Sequence, residues 1–175
     1  MEKNSEKIKV SIVIPAFNEC QSIPELLEEI SGAMSGFDYR IIVVDDGSSD
    51  STWKLLTDLA EEYPLTALRF SANRGKAAAL AAGFAESSGD FVATLDADLQ
   101  DDPAEIPEMI SYMQTEGFDL LSGWKKHRKD PAGKTLPSRI FNFFVRLTTG
   151  LRLHDFNCGL KVYRTSVVRN MELYG

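Results

Sequence analysis

Three oxygen-bearing side chains alternate along one short stretch of the chain, DADLQ, which supplies Asp96, Asp98 and Gln100. In an extended turn, alternating residues can point the same way, so these side chains could share one hard cation. Mg²⁺ and Mn²⁺ use a few protein oxygens and leave their other positions to water and substrate phosphates. The stretch therefore predicts a Mg²⁺ or Mn²⁺ site.

The acidic residues around this stretch have two other interpretations. Carboxylates can cap the free N–H groups of a helix, and we interpret Asp101 and Asp102 as caps of a helix begun at Pro103. A calcium loop of the EF-hand type would need Gly at its sixth position and Glu at its twelfth, where this chain has Asp101 and Pro107. The sequence therefore disfavours a calcium loop.

Two more apolar runs end in residues that suit a binding site. The run IKVSIVI is followed by Pro15, Phe17 and Glu19, and the run IIVV by Asp45 and Asp46. In open parallel α/β sheets, ligands bind at the carboxyl ends of the strands. The chain has neither GxGxxG nor a P-loop motif, which argues against a dinucleotide-dependent dehydrogenase and a P-loop enzyme.

Short β-branched runs alternate along the chain with amphipathic segments. This alternation predicts an α/β fold in one domain, with a mostly parallel central sheet and helices on both faces. Ser22 and Glu25 have the spacing of a capping box, and Asp50 is placed to cap the next helix. Strands are predicted at 8–14, 39–44, 65–70, 91–95 and 119–123, and helices at 22–34, 51–63, 75–87 and 103–117.

Length and composition bound the class of protein. A chain of 175 residues that is 43% hydrophobic can build one domain with a substantial core. The two cysteines and two histidines show no zinc-type spacing. No apolar run reaches the roughly 18 residues needed to span a bilayer, and the start MEKNSEKIK lacks the apolar centre of a signal peptide. We therefore expect a soluble, cytoplasmic protein.

The net charge of −7 is unevenly distributed. Residues 125–152 carry eight Lys/Arg against one Asp/Glu, whereas residues 1–124 carry eight against 23. The basic segment predicts an anionic partner, for which a lipid, a phosphate or nucleic acid would be suitable. Within it, Ile140, Phe143 and Phe144 fall on one helical face, which fits either a core helix or a helix on a membrane surface.

Four motifs, SIVIPAFNE, IIVVDDGSSDST, NRGKAAALAAGF and ATLDADLQDDP, resemble in order and spacing those of family 2 glycosyltransferases with the GT-A fold. The later motifs SRIFN and LHDFNCGLKVYR resemble the subgroup of dolichyl-phosphate mannosyltransferase and its bacterial polyprenyl-phosphate relatives. The resemblance covers about residues 8–170. It implies a nucleotide-sugar and metal half at 8–123 and an acceptor and membrane-facing half at 124–175, truncated at its C-terminus.

The resemblance also implies roles for single residues. It gives catalytic roles to Asp98, Arg139 and Asp155, of which Arg139 would lie near the diphosphate or the acceptor phosphate. It implies that Asp96, Asp98 and Gln100 bind the metal and the diphosphate. Contacts with the nucleotide sugar are implied for Pro15, Phe17, Glu19, Val44, Asp45, Asp46, Asp96 and Ala97.

The acceptor half contains one match and one departure. Gly159 and Lys161 fall, like Asp155, in the family's acceptor-side motif. Family members commonly have Arg shortly after the fifth strand, where this chain reads SGWKK. Either Trp124 or Lys125 takes the place of that arginine, or the contact is absent.

The activity implied by the resemblance is metal-dependent transfer, with inversion, of a sugar from GDP-mannose or a UDP-sugar to a polyprenyl phosphate. The reaction would take place at the cytoplasmic face of a membrane, without a nucleic-acid partner. A phosphate acceptor is already ionised at neutral pH, which agrees with the lack of an obvious general base in the sequence.

Three other functions use similar residues. Transfer to a saccharide acceptor and a non-catalytic subunit that binds nucleotide sugars both stay open. A sugar-nucleotide pyrophosphorylase would need a Gly-rich, Arg-containing loop after the first strand, and PAFNECQS has none.

Overall fold

The computed structural model describes residues 7–123 and 158–171, and six strands within these ranges form one sheet. The strands are β1 Lys9–Ala16, β2 Asp38–Asp45, β3 Leu65–Arg69, β4 Phe91–Thr94, β5 Leu120–Ser122 and β6 Lys161–Arg164. Their order is β3-β2-β1-β4-β6-β5. Only β6 runs against the others, pairing antiparallel with β4 and β5. The prediction of a mostly parallel sheet is confirmed, and β6 is a strand that the sequence pattern did not predict.

Helices join the parallel strands in the described part of the chain. They are α1 Ile23–Ala33, α2 Thr52–Leu59, α3 Lys76–Glu86, α4 Glu105–Glu116 and the short α5 Thr165–Val168. Gly117 ends α4 in the left-handed conformation, with φ of 75°, which a residue without Cβ adopts at little cost. No helix among the described residues is both long and apolar enough to cross a membrane.

The capping box predicted at Ser22 and Glu25 is wrong. Ser22 is at the N-cap position of α1 but makes no side-chain hydrogen bond to the helix. Its hydroxyl instead donates to the carboxylate of Glu19, at 2.7 Å. The negative charge of Glu19 makes it a stronger acceptor than a neutral partner, so the serine is held toward the loop before the helix.

The sheet has a hydrophobic core on each face. Along β1, Ile12 and Ile14 join the core beneath α1, α2 and α4, whereas Val13 joins the core beneath α3 and α5. This is the period-two alternation of a strand covered on both sides. Each fully buried Ile or Leu contributes roughly 1.5–3 kcal/mol relative to its exposed state, so the sheet is a rigid base for the loops that follow its strands.

Helix α3 approaches the sheet closely at Gly83. A Cβ at this position would overlap Cγ1 of Val13 on β1. The close approach brings the N-terminus of α3 beside the carboxyl end of β1. Lys76, the first residue of α3, consequently lies near the residues that follow β4.

Candidate active site

A cleft of about 300 Å³ opens where β1, β2 and β4 end. These three strands are neighbours in the sheet and run parallel, so the loops that follow them leave from the same edge. Ligands in open α/β sheets bind at such an edge. The cleft is lined by Pro15, Ala16, Phe17, Glu19, Asp46, Asn73, Gly75, Lys76, Asp96, Ala97 and Asp98.

Hydrogen bonds tie the loop after β1 to the loop after β2. The backbone N–H of Asn18 donates to Ser48 Oγ at 2.9 Å, and the side-chain oxygen of Asn18 accepts the N–H of Ser49 at 2.9 Å. Asn18 has φ of 58°, a left-handed conformation that Asn tolerates better than most residues. The two loops therefore form one wall of the cleft.

A relay through Thr52 holds the same wall. The buried Thr52 hydroxyl accepts the N–H of Glu19 at 2.9 Å and donates to Asp50 Oδ1 at 2.6 Å. The hydrogen bond from Thr52 lowers the pKa of Asp50 from 3.8 to about 2, because it favours the ionised carboxylate. Asp50 also accepts the N–H of Thr52, the first residue of α2, at 3.0 Å, but the N-cap position itself is occupied by Ser51, one residue later than predicted.

The carboxylate of Asp46 orders the loop between β3 and α3. Its Oδ1 accepts the N–H of Arg74 at 2.7 Å, and its Oδ2 accepts the N–H of Gly75 at 2.9 Å. Gly75 has φ of 90°, so a side chain there would be strained. Asp46 lines the cleft although only 4% of its surface is exposed, so most of its carboxylate is committed to the protein backbone.

Its neighbours Val44 and Asp45 turn away from the cleft. Both are fully buried, and Val44 packs in the core beneath α3. Asp45 Oδ1 accepts the N–H of Ser48 at 2.8 Å. Asp45 Oδ2 receives no hydrogen bond of good geometry, but it lies 3.2 Å from Nε of Arg69, so we assign it an ion pair. Neither side chain lines the cleft, so the side-chain contacts with a nucleotide sugar that the resemblance implied for Val44 and Asp45 find no support in the structure.

The DADLQ loop presents two carboxylates to the cleft. Asp96 Oδ1 forms an ion pair with Nζ of Lys76 at 2.5 Å, and the side chain of Asp96 is 24% exposed. Asp98 is exposed, and its Oδ1 accepts the N–H of Gln100 at 3.2 Å. Leu99 between them has φ of 59°. Gln100 is exposed but does not line the cleft, so the metal donors brought together here are the two aspartates.

Asp101 and Asp102 have different places. Asp102 Oδ1 accepts the N–H of Ala104 at 2.9 Å, but Ala104 is itself the N-cap residue, so Asp102 lies two residues before the cap and α4 begins at Glu105, not at Pro103. Asp101 is only 6% exposed, and its Oδ2 accepts the N–H of Asp96 at 3.3 Å. The interpretation of Asp101 as a helix cap is therefore wrong: its carboxylate is buried against the loop that carries Asp96.

The two aspartates suit a divalent metal whose coordination is completed by a bound ligand and water. Within the described ranges, no group of three or more His, Cys, Asp or Glu side chains is placed to hold a metal ion. A complete protein cage is thus not formed there. Mg²⁺ needs only one or two carboxylates when substrate phosphates and water fill its other positions, and Asp96 and Asp98 supply that number. The donor set fits Mg²⁺ or Mn²⁺ bound together with a diphosphate.

Seven of the residues proposed from the sequence meet in this cleft: Pro15, Phe17, Glu19, Asp46, Asp96, Ala97 and Asp98. Arg139 and Asp155 lie outside the described residues, as do the basic segment 125–152 and the apolar positions within it. Lys76 and Asn73 also line the cleft but were not predicted from the sequence. Both belong to NRGK, in the third of the four family-like motifs, for which the sequence indicated no role.

Two larger depressions lie elsewhere on the described part of the molecule. One, of about 400 Å³, is at the amino ends of β1 and β4 and includes Asp90 and Arg164. The other, of about 660 Å³, lies between α4 and β5 and includes Tyr112. Neither lies where the neighbouring strands β1, β2 and β4 end together, so size alone does not make either one the candidate site.

Comparison with known proteins adds relatives in sequence. Residues 11–171 match the model of the family described as Glycosyl transferase family 2. Dodecaprenyl-phosphate galacturonate synthase from Rhizobium johnstonii is 38% identical over 175 residues, which cover 97% of this chain and 52% of that protein. Undecaprenyl-phosphate 4-deoxy-4-formamido-L-arabinose transferase from Yersinia enterocolitica is 43% identical over 172 residues, covering 95% and 52%. The chain spans about half the length of these curated relatives.

Solved structures share the fold. A mannosyltransferase from Pyrobaculum calidifontis, in complex with GDP-Man and Mn²⁺, matches with a TM-score of 0.72 and 21% identity, covering 98% of this chain and 48% of that one. Glucosyl-3-phosphoglycerate synthase from Mycobacterium tuberculosis, in complex with Mn²⁺, UDP-glucose and phosphoglyceric acid, matches with a TM-score of 0.71 and 25% identity, covering 92% and 58%.

Proposed function

The chain belongs to glycosyl transferase family 2 and has the GT-A fold, and we propose that it transfers a sugar from a nucleotide-diphosphate sugar to a polyprenyl phosphate. One observation carries this proposal. The cleft at the ends of β1, β2 and β4 combines an exposed aromatic ring with two carboxylates that can hold a metal diphosphate.

The loop after β1 would hold the nucleoside, and Asp46 would contribute by ordering the loop at Arg74 and Gly75 on the other side of the cleft. Phe17 is 45% exposed at the cleft, so its ring can stack on a base. Glu19 can accept hydrogen bonds from ribose hydroxyls, because a carboxylate presents two acceptor oxygens. The hydrogen bonds from Asn18 to the loop after β2 and from Glu19 to Thr52 at the start of α2 fix these groups before a donor arrives, which lowers the entropy cost of binding.

Asp96 and Asp98 would hold Mg²⁺ or Mn²⁺ against the donor diphosphate. Bound there, the metal would neutralise the charge that grows on the departing diphosphate. The bond from the anomeric carbon to the diphosphate oxygen breaks, and a bond from that carbon to an acceptor phosphate oxygen forms. The acceptor oxygen is ionised at neutral pH, so the protein need not remove a proton from it.

The acceptor assignment rests on the relatives in sequence. Two relatives of 38% and 43% identity carry names that specify dodecaprenyl phosphate and undecaprenyl phosphate. The segment 125–152, with eight Lys/Arg against one Asp/Glu, has the charge to attract a phosphate and an anionic bilayer surface. We accordingly propose peripheral association with the cytoplasmic face of a membrane, with Arg139 and Asp155 near the acceptor.

A labelled-sugar assay tests the proposal. The chain is incubated with Mn²⁺ and GDP- or UDP-sugars, together with undecaprenyl phosphate, undecaprenol or a soluble oligosaccharide. We expect label only on undecaprenyl phosphate, because undecaprenol has the same lipid tail without the ionised oxygen. Label on the oligosaccharide would replace the acceptor assignment. Donor binding without transfer to any acceptor would indicate a nucleotide-sugar-binding subunit.

A further inference from the structure

The segment that leads into β6 lies directly against the carboxylates of the DADLQ loop. The carbonyl oxygen of Gly159 accepts a hydrogen bond from the buried hydroxyl of Thr94, at 2.7 Å. A Cβ on Gly159 would overlap Cγ of Asp96 and lie 2.6 Å from its Oδ2. It would also lie 2.5 Å from Oδ2 of Asp101. The backbone at Gly159 thus forms the surface on which the Asp96 carboxylate rests.

Asp101 completes this support from the other end of the loop. Its Oδ2 accepts the backbone N–H of Asp96 at 3.3 Å, which closes the loop over residues 96–101. Cys158 Sγ lies 3.8 Å from Asp101 Oδ1, within the weak hydrogen-bond range of a thiol. Asp101 is buried and does not line the cleft, so it is not positioned as a third ligand.

The conformation of the loop requires such support. Leu99 has φ of 59°, a conformation that costs a residue with a side chain of order 1–3 kcal/mol. The loop keeps this conformation because its first residue is tied to Asp101 and its carboxylate is confined by Gly159. Loss of the hydrogen bond to Asp101 would free Asp96, and a Cβ on Gly159 would displace its carboxylate, while the sheet beneath stays in place.

We propose that Asp101 and Gly159 are positioning residues that set the Asp96 carboxylate for metal binding. This inference rests on the metal role of Asp96 under the proposed function. Metal sites depend on groups behind the ligands, and loss of such a partner typically weakens metal binding about 10–100-fold. Gly159 and Asp101 support the metal ligand Asp96, which belongs to the nucleotide-sugar half of the site. The sequence resemblance had instead placed Gly159 in a motif of the acceptor half.

Lys161 belongs to the same support. Its Nζ donates to the carbonyl oxygen of Cys158 at 2.7 Å, which fixes the backbone next to Gly159. The CGLK sequence therefore contacts β4 through the Thr94 hydroxyl and the loop after β4 through the carboxylates of Asp96 and Asp101.

Calorimetry of UDP and GDP binding, with and without Mn²⁺, tests the inference. The readout is the gain in nucleotide affinity that Mn²⁺ produces. We expect Gly159→Ala and Asp101→Ala to reduce this gain at least about tenfold. Metal-free nucleotide affinity should change less than about twofold, since neither residue lines the cleft. A general loss of structure would weaken both affinities together.

Two further variants sharpen the test. Asp101→Asn keeps an oxygen acceptor for the N–H of Asp96, and we expect it to restore most of the gain lost in Asp101→Ala. Gly36→Ala is the matched control, because a Cβ at Gly36 meets nothing within 4 Å. If Gly159→Ala does not fold, the comparison of Asp101→Ala with Asp101→Asn decides.

The outcomes separate the inference from the proposed function. Folded Gly159→Ala and Asp101→Ala proteins with the same Mn²⁺-dependent gain as the unsubstituted chain would overturn the inference and leave the metal site intact. Absence of any gain in the unsubstituted chain would overturn the metal site, and the inference with it.

Discussion

The ammonium group of Lys76 lies 2.5 Å from the Oδ1 atom of Asp96, so the first carboxylate of the DADLQ loop is already paired with a positive charge. Lys76 begins α3, and its position depends on the close approach of that helix to β1 at Gly83. A divalent cation that binds Asp96 must share the carboxylate with Lys76 or displace it. The Lys76 side chain is 53% exposed and that of Asp96 24%, so water partly screens the pair, its displacement costs little and a metal with two charges can compete.

Replacement of Lys76 by Met should strengthen the binding of Mn²⁺ alone. Met keeps most of the length of the side chain but removes the competing charge. An exposed ion pair of this kind is worth roughly 0.2–1 kcal/mol, which corresponds to an increase in Mn²⁺ affinity of at most about fivefold. The Mn²⁺ affinity is measured by electron paramagnetic resonance, in which the signal of free Mn²⁺ decreases as the ion binds. Lys54→Met, on the exposed surface of α2, controls for net charge, and equal affinities in the two variants would exclude the competition.

The pKa of Asp50 should be about 2 in the folded protein. The hydrogen bond from the Thr52 hydroxyl lowers it, so Thr52→Val should move the pKa of Asp50 back toward 3.8. Thr52→Ser keeps the hydroxyl and should leave the pKa low. Carbon-detected NMR titration of the Asp50 carboxyl measures all three proteins. A pKa that stays low in Thr52→Val would contradict the relay.

The same shift sets the direction of a pH effect on stability. The folded pKa lies below the unfolded value, so the stabilisation is fully present above pH 3.8 and is lost as pH falls toward 2. Acid unfolding followed by circular dichroism should show a smaller loss of stability over this range in Thr52→Val than in Thr52→Ser. Equal acid sensitivity of the two variants would show that Asp50 makes no net contribution.

Gly83→Ala should destabilise the fold, because the new Cβ would overlap Val13 Cγ1 and push α3 away from β1. Overpacking of a core contact costs typically about 1–3 kcal/mol in the free energy of unfolding. Urea unfolding measures it. Gly32→Ala is the helical control, since a Cβ there meets nothing within 4 Å, and it should stabilise α1 by up to about 1 kcal/mol. Val13→Ala should relieve the overlap, and additive losses in the double variant would contradict this explanation.

The fold and the centre of the site were predictable because they depend on local patterns. β-branched runs such as IKVSIVI predict the parallel strands. Asp96 and Asp98 directly follow β4, which predicts their position at the sheet edge where ligands bind. Lys76 was not predicted, because its contact with Asp96 depends on how α3 packs across the sheet. The role of Asp101 was misassigned for a similar reason: its partner, the Gly159 segment, is 58 residues away in the sequence and reaches it only through β6.

Short polar interactions near helix starts were the least predictable feature. Ser22 has the spacing of a capping box, but its hydroxyl donates to Glu19. Asp50 and Asp102 accept backbone N–H groups near helix starts, but from one and two residues before the N-cap position. The difference lies in the side chain: the serine hydroxyl has a proton that a nearby carboxylate can accept, which orients it away from the helix, whereas a carboxylate can only accept N–H groups.

The most direct test of the account is the Mn²⁺-dependent binding of UDP and GDP to the unsubstituted chain and to Asp98→Asn, measured by calorimetry. Asp98 is exposed, so its substitution should change the free energy of unfolding by less than about 0.5 kcal/mol. Asp58→Asn, on the exposed face of α2, is the matched control. We predict that Mn²⁺ strengthens nucleotide binding in the unsubstituted chain and in Asp58→Asn, and that this effect is abolished in Asp98→Asn. Undiminished Mn²⁺-dependent binding in a folded Asp98→Asn protein would contradict the assignment of the site.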